Sequence, residues 1–297
     1  MISENIYNRV TILIVTFKSQ HIIDKCLSNI NKNFNILVIE NSADYDFTKN
    51  LKKKYKNLKT INIGYDSGYG FALNRGIENV ETEYLISINP DSFPEQDCLI
   101  KLIKTANINS DVSMVVPLKL LKNKTKEFSA YGYFNKKKKF IKNDKNHLYV
   151  DWVNGNVFLA RKKLFNEIGL FDENIFLEFE ERDFQKRMHN NKKKIIIDFN
   201  AKSYHLEGKS ADEKFSFQMK CEASWHHTWS KYYYYKKHYG NFYSLTKNLP
   251  TALMNILKFL IFKLTRNKRK AIIYKLLFKG FYSSLLNKKS FYRAEID

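Results

Sequence analysis

The chain has 297 residues, 44% hydrophobic and 15% aromatic, with 51 Lys and Arg against 30 Asp and Glu, a formal net charge of +21. That length can bury a sizeable core without staples. Three scattered cysteines, Cys26, Cys98 and Cys221, exclude a disulfide framework or a CxxC-type zinc site and suggest a reducing, cytoplasmic compartment. The charge calls for an anionic partner such as a nucleotide, a nucleic acid or a lipid surface.

The opening MISENIYNRVTILIVTF holds an apolar run of strand length and no small-residue cleavage site, so it does not read as a signal peptide. TILIV (11–15) predicts a strand, and Ile22, Ile23, Cys26, Leu27 and Ile30 form a helical stripe after it. ILVI (36–39), a Lys-rich helix near 48–56, INI (61–63), a helix over about 70–80 and YLISI (84–88) continue the alternation. Strands that are apolar throughout are buried on both faces, which predicts an α/β fold with a mostly parallel sheet. Ligands of such sheets collect beyond the carboxyl ends of the strands. The polar residues found there, Thr16 and Lys18, Glu40 and Asn41, Asp66 and Ser67, Asn89 and Asp91, are expected to line one crevice.

A helix near 95–106 and a strand at VSMVV (112–116) follow, then a solvated loop or hairpin over 118–150 that contains KKKK at 136–139. NVFLA (156–160) predicts a strand, RKKLFNEIG a helix stopped by Gly169, and residues 179–190 another helix. KKIIIDF (193–199) predicts the next strand, with His205 in the loop after it. The catalytic part is expected to span 1–210, and 211–297 to form a helical extension. That extension opens with WHHTWSKYYYYKKHYG (225–240), and two amphipathic runs come after it. Leu253, Ile256, Leu257, Leu260, Ile261 and Leu264 make the first, and Ile272, Ile273, Leu276, Leu277, Phe281 and Leu285 the second. From Leu245 onward, twelve Lys and Arg stand against only Glu295 and Asp297. Neither run is long or apolar enough to span a bilayer. Two readings stand side by side: basic helices lying on an anionic membrane, or helices packed on the domain or a second subunit.

Four stretches carry candidate chemistry. In ISINPDSFPE (86–95), Pro90 ends the strand and fixes where Asp91 points; the carboxylate suits Mg²⁺ or Mn²⁺, or else Asp91 or Ser92 caps the next helix. GYDSGYGFALNRG (64–76) offers glycine-rich backbone N–H groups for phosphate, or a tight strand-to-helix turn; its spacing is not GxGxxG. LEFEERDF (177–184) gathers Glu178, Glu180, Glu181 and Asp183 at a helix start, where acids favour the helix dipole and where one of them could take a proton from a hydroxyl. His205 is a metal ligand or an ordinary loop histidine.

Taken together, TILIVTFKS, ILVIENS, GYGFALNRG, INPDS, GNVFLARKKLFNEIGLFDENIFLEFEERDF and YHLEGKS resemble the successive blocks of glycosyltransferase family 2, inverting enzymes with the GT-A nucleotide-diphospho-sugar fold. The resemblance covers residues 9–210, is most specific from Gly155 to Asp183, and is nearest to rhamnosyltransferase-like and galactofuranosyltransferase-like bacterial members. It implies that Thr16, Phe17 and Glu40 hold the nucleoside, Glu40 standing where the family usually has aspartate. Asp66 and Asn74 join the nucleotide contacts, Asn89 is auxiliary, and Asp91 with His205 holds the divalent cation, Mg or Mn. In Glu180-Glu181-Arg182-Asp183 the second position, Glu181, matches the general base, again with glutamate for aspartate. One additional methylene moves that carboxylate by about a bond length, and a base works within about 3 Å of its proton, so Glu180 and Asp183 remain alternatives.

The implied partners are a UDP- or dTDP-linked sugar donor and a glycan acceptor of the bacterial surface, lipopolysaccharide or capsule, carried on a lipid. The basic tail would then sit at the inner face of the cell membrane or in an oligomer contact, with no nucleic acid involved. The rival classes are a sugar nucleotidyltransferase, a non-catalytic glycan- or nucleic-acid-binding protein, and a glycosidase, whose paired carboxylates need no metal-diphosphate site.

Overall fold

The first apolar runs become four parallel strands, Val10–Thr16 (β1), Asn35–Glu40 (β2), Leu58–Asn62 (β3) and Tyr84–Ile88 (β4), in a computed structural model that describes residues 6–120, 131–135, 146–206 and 208–295. Helices Ile23–Ser28 (α1), Tyr45–Lys54 (α2) and Tyr69–Glu78 (α3) connect them. Ile12, Ile14, Val38 and Ile86 pack with Ile23, Cys26 and Leu27. Their strand neighbours Leu13, Leu37, Ile39 and Leu85 pack instead with Leu73 and Ile77. Successive strand residues thus enter opposite cores, which is why these strands are apolar throughout rather than alternating.

The chain continues through Ser92–Pro94 (β5), Cys98–Ile108 (α4), Val112–Leu120 (β6), Tyr131–Gly132 (β7), His147–Val150 (β8), Trp152–Val153 (β9), Val157–Arg161 (β10), Lys162–Ile168 (α5), Glu180–Asn190 (α6) and Lys194–His205 (β11). The main sheet has the order β3-β2-β1-β4-β10-β6-β11-β5, with β8 also on β11. Six of its strands, β1 to β4, β6 and β11, run one way, and β5, β8 and β10 run the other. The sheet is therefore mostly parallel, and the carboxyl ends of β1, β2, β4 and β11 lie along one edge.

Two expectations are corrected here. The helix expected from residue 95 starts at Cys98, because Ser92–Pro94 pairs as a strand with Ser203–His205. The strand expected over 193–199 continues to His205 through a register shift between Asp198 and Lys202, so His205 is the last residue of β11 and not part of a following loop. Within the expected 118–150 loop, the two ends are strand, and the KKKK run at 136–139 lies outside the described residues.

By its contacts the chain forms two compact units, Met1–Phe171 with Phe184–Asp212, and Asp172–Asp183 with Glu213–Asp297. The second is built on Ser216–Tyr239 (α7), Asn241–Leu264 (α8) and Lys268–Leu285 (α9). Trp225, Trp229, Cys221 and Leu276 form one of its cores, and Tyr232, Ala252 and Phe281 another. The two amphipathic runs part company here. Leu276 and Phe281 of α9 face inward, whereas Leu253, Leu257, Leu260, Ile261 and Leu264 of α8 are exposed.

His226 is fully buried in this second unit, with Nε2 2.7 Å from the Tyr292 carbonyl and Nδ1 2.9 Å from the Ser290 hydroxyl. A carbonyl only accepts, so Nε2 carries the proton, and in the neutral ring Nδ1 accepts from Ser290. Burial pushes this imidazole down to about 3, the Tyr292 carbonyl opposing and the Arg293 charge adding to the shift. The unfolded chain takes up the proton near pH 6.5 and the folded chain refuses it, so stability is full above that pH and is lost as pH falls. From pH 7 to 5 the loss from this group is expected to be about 2 kcal/mol. Urea midpoints across that range will show it, and His226→Gln, which cannot titrate, should flatten the slope.

Candidate active site

Thr16 and Glu40 end β1 and β2 as register partners. The Thr16 hydroxyl donates to Glu40 Oε2 at 2.5 Å, and the Ser42 hydroxyl donates to Oε1. Glu40 is fully buried, and burial pushes its carboxyl up against the opposing effect of those two hydroxyls. Phe17 is half-buried beside this pair, its N–H donating to the Ser19 hydroxyl at 3.2 Å.

Asn41 links the second strand end to the glycine block. Its Nδ2 donates to Asp66 Oδ1 at 3.2 Å, and its Oδ1 accepts from the Ser67 N–H at 3.1 Å. Asp66 Oδ1 also accepts from the Gly68 N–H at 3.3 Å, directly before α3. Gly64 and Gly68 have φ of 85° and 84°, a left-handed conformation that glycine adopts without steric cost. The glycines therefore serve the strand-to-helix turn. Asn74 departs from its expected place among the nucleotide contacts. It is fully buried, and its amide exchanges two 3.0 Å hydrogen bonds with the Phe171 backbone, so it clamps the chain there.

Asp91 lies just past β4, buried, in the two-residue turn into β5. The helix-cap reading fails, because a strand follows Asp91 and the residue that precedes α4 is Asp97. Pairing of Ser92 with His205 across β5 and β11 brings His205 Nε2 to 3.1 Å from Asp91 Oδ1. The Lys209 N–H donates to Oδ2 at 3.2 Å, and the Leu206 N–H donates to the Asp91 carbonyl at 3.1 Å. Burial pushes this carboxyl up, but His205, the Ser210 hydroxyl and the Lys209 N–H outweigh it and hold it below the usual carboxylate range. Half-buried Asn89 is fixed through its backbone, its N–H donating to the Asn156 carbonyl at 2.9 Å. Asn156 in turn donates from Nδ2 to the Ser92 hydroxyl at 3.1 Å.

These residues fit a hard divalent cation. Neighbouring ligands of an octahedral ion with bonds of about 2.1 Å stand about 3 Å apart, which is the separation of Asp91 Oδ1 and His205 Nε2. His205 Nδ1 is buried, with no hydrogen-bond partner among the described residues. Among the described residues no three His, Cys, Asp or Glu side chains gather as a closed metal site. One carboxylate, with other positions left to water and phosphate oxygens, is a donor set such ions accept, and the imidazole adds a nitrogen ligand of the kind first-row transition ions take.

In the second unit, Glu178 and Phe179 precede α6 with φ of 66° and 70°. Two consecutive left-handed non-glycine residues are strained, at about 1–3 kcal/mol each. The Ser230 hydroxyl, donating to the Leu177 carbonyl at 2.8 Å, and a 3.3 Å ion pair of Glu178 with His227 hold them. The three acids that follow differ in environment. Glu180 is buried with Oε2 unpartnered; burial, then the charges of Glu181 and Glu178, drive its carboxyl well above the usual range. Asp183 is fully buried between Lys237 Nζ at 2.7 Å and His238 Nε2 at 2.8 Å. Glu181 alone of the three is part-exposed.

Several of these partners were not singled out from sequence. Asn156 and the Lys209-Ser210 pair lay within quoted blocks, GNVFLA and YHLEGKS, and Lys237 and His238 within a stretch that reads simply as basic and aromatic. Buried polar groups need partners, so short polar residues beside strand ends were the available signal.

The sheet order and the strand-end cluster define a GT-A fold. Residues 11–169, just over half of the chain, match the profile of Glycosyl transferase family 2, and the chain belongs to that family. It is 31% identical over 109 residues to a dolichyl N-acetyl-alpha-D-glucosaminyl phosphate 3-beta-D-2,3-diacetamido-2,3-dideoxy-beta-D-glucuronosyltransferase of Methanococcus voltae, a match spanning 33% of this chain and 34% of that protein. The chain thus spans about a third of the length of that curated relative. The fold is similar to that of the mannosyltransferase PcManGT from Pyrobaculum calidifontis, solved with GDP-Man and Mn²⁺ (TM-score 0.57, 12% identity, 95% of this chain and 88% of that one). It is also similar to that of residues 1–349 of TarS from S. aureus (TM-score 0.55, 13% identity, 94% and 92% coverage).

Proposed function

We propose that this protein transfers a sugar, with inversion, from a nucleoside-diphosphate sugar to a hydroxyl of a bacterial surface glycan. The observation that carries the reading is the Asp91 and His205 pair at 3.1 Å, at the carboxyl edge of a family 2 sheet. Thr16, Phe17, Glu40 and Asp66 bind the nucleoside end, and Asn89 supports the diphosphate end. Asp91 and His205 hold Mg²⁺ or Mn²⁺, which when bound neutralises charge on the departing diphosphate. Glu181 takes the proton of the acceptor hydroxyl, which attacks the anomeric carbon opposite the leaving group. Glu180 and Asp183 are poorly suited to that task, one with its carboxyl driven well above the usual range by burial and the other occupied by Lys237 and His238. The donor is a UDP- or dTDP-linked sugar, with rhamnose the first to test, and the acceptor is lipid-linked, as the name of the Methanococcus voltae relative says of its own.

The test is a melting-temperature and product screen with UDP-, dTDP- and GDP-sugars, each with and without Mg²⁺ or Mn²⁺. One donor family is expected to raise the melting temperature by several degrees, and only with the cation present, since a ligand at about a hundred times its Kd adds about 2.7 kcal/mol. No stabilisation by any donor under any metal condition would overturn the reading. Synthesis of a nucleotide-sugar from a sugar phosphate would assign the nucleotidyltransferase instead.

A further inference from the structure

Helix α8 has its polarity inverted. Its buried positions are Ser244, Asn248, Ala252 and Asn255, spaced to lie on one face. The Ser244 hydroxyl donates to the Tyr232 carbonyl at 2.8 Å, and Asn248 Nδ2 donates to the Ser244 carbonyl at 2.8 Å. The outward positions are Phe242, Leu249, Leu253, Leu257, Leu260 and Leu264, with Leu257 51% and Leu264 and Phe242 over 80% exposed. A helix on a water-facing surface shows the opposite arrangement. At 1.5 Å per residue this stripe runs for about 33 Å, a contiguous apolar patch of the kind that marks an interaction site.

The packing beneath it agrees. Helix α9 buries four small residues, Ala271, Gly280, Ser283 and Ser284, beside Leu276 and Phe281, and a Cβ on Gly280 would stand 2.0 Å from the Trp225 carbonyl oxygen. Small residues at close helix contacts, with large apolar ones outside, characterise helices whose outer solvent is lipid. Among the described residues no helix is long and apolar enough to cross a membrane, so α8 suits lying along a surface.

Charge selects the occupant. Lys247 and Lys263 flank the stripe, and Arg266, Lys268, Arg269 and Lys270 crowd the exposed corner where α8 meets α9. No Asp or Glu occurs between Glu222 and Glu295. A two-fold dimer would set this patch against itself, with the cations of both copies around it and no acid in the patch to pair them. An anionic lipid surface offers hydrocarbon to the stripe and phosphate to its rim. We infer that the outward face of α8 and the Arg266–Lys270 corner seat the protein on an anionic lipid bilayer. Lipid binding by this face does not require the transfer reaction proposed above, and its readout does not depend on that reaction.

Flotation of the full chain with vesicles of phosphatidylcholine alone, or of equal parts phosphatidylcholine and phosphatidylglycerol, tests this. The intact protein is expected to favour the anionic vesicles by about tenfold or more, an advantage that salt reduces. The Leu253→Glu/Leu257→Glu/Leu260→Glu variant, altered only at exposed positions, should bind either vesicle at least about tenfold less. The Arg266→Gln/Lys268→Gln/Arg269→Gln/Lys270→Gln variant should lose the anionic preference. Equal binding by the intact and triple-Glu proteins overturns the inference. So does an intact dimer, seen by light scattering, that the triple-Glu change converts to monomer, since the face then binds a second copy. Should the triple variant lose its helical circular dichroism, Leu257→Trp replaces it: brominated phosphatidylglycerol vesicles are expected to quench the new tryptophan, and an unquenched signal overturns the inference.

Discussion

Asp91→Asn is expected to lower sugar transfer by about a thousandfold or more, equivalent to about 4 kcal/mol of transition-state stabilisation, with the melting temperature changed by only a few degrees. Asparagine keeps the size of the side chain and an oxygen to accept from the Lys209 N–H, which is 3.2 Å away in the native protein. It removes the negative charge that faces His205 at 3.1 Å. The fold therefore retains its packing, and the proposed cation site loses the Asp91 carboxylate. Initial rates at saturating donor and Mn²⁺, set beside a thermal melt of the same sample, check both halves. His205→Ala keeps the carboxylate and should cause a smaller fall that added Mn²⁺ partly restores. Transfer by Asp91→Asn within tenfold of the native rate would remove the cation site from this pair.

How much of the site was legible in the sequence depends on how local each residue's partners are. β1, β2 and β4 were readable because runs apolar throughout fit only strands buried on both faces, and the polar residues at their ends then fell on one edge. Thr16 and Glu40 follow from that register. Asp91 did not, because a cap and a ligand look alike in INPDS; the decision comes from β5 pairing with β11, 114 residues away at His205. The extension of β11 was hidden for the same reason. NAKSYH lacks the apolar run of KKIIIDF and is strand because β5 and β6 pair with it. Asn74 shows the limit of reading a quoted block as a binding block, since its amide pairs with Phe171, 97 residues on. The amphipathic runs of α8 and α9 were visible as periodicity, but periodicity does not say whether the apolar face points in or out.

Three acids within four residues give the second large effect. Glu181→Gln is expected to reduce transfer by about 10²–10⁴, the usual contribution of a general base, with donor affinity unchanged because the amide still fills the position. Glu180→Gln should leave transfer within about tenfold: burial drives that carboxyl well above the usual range and so favours its neutral form, and a neutral isostere alters little. Asp183→Asn should act on stability instead. It leaves Lys237 and His238 without the carboxylate they share at 2.7 and 2.8 Å, and breaking such a buried pair costs about 3 kcal/mol, read as a lower urea midpoint. The three variants thus separate by readout, rate for Glu181, neither for Glu180, stability for Asp183. A Glu180→Gln protein that binds donor and fails to transfer, beside an active Glu181→Gln, would move the base one residue back. The strained Glu178-Phe179 turn would then position Glu180 rather than Glu181, and the base would be the carboxyl that burial pushes well above the usual range.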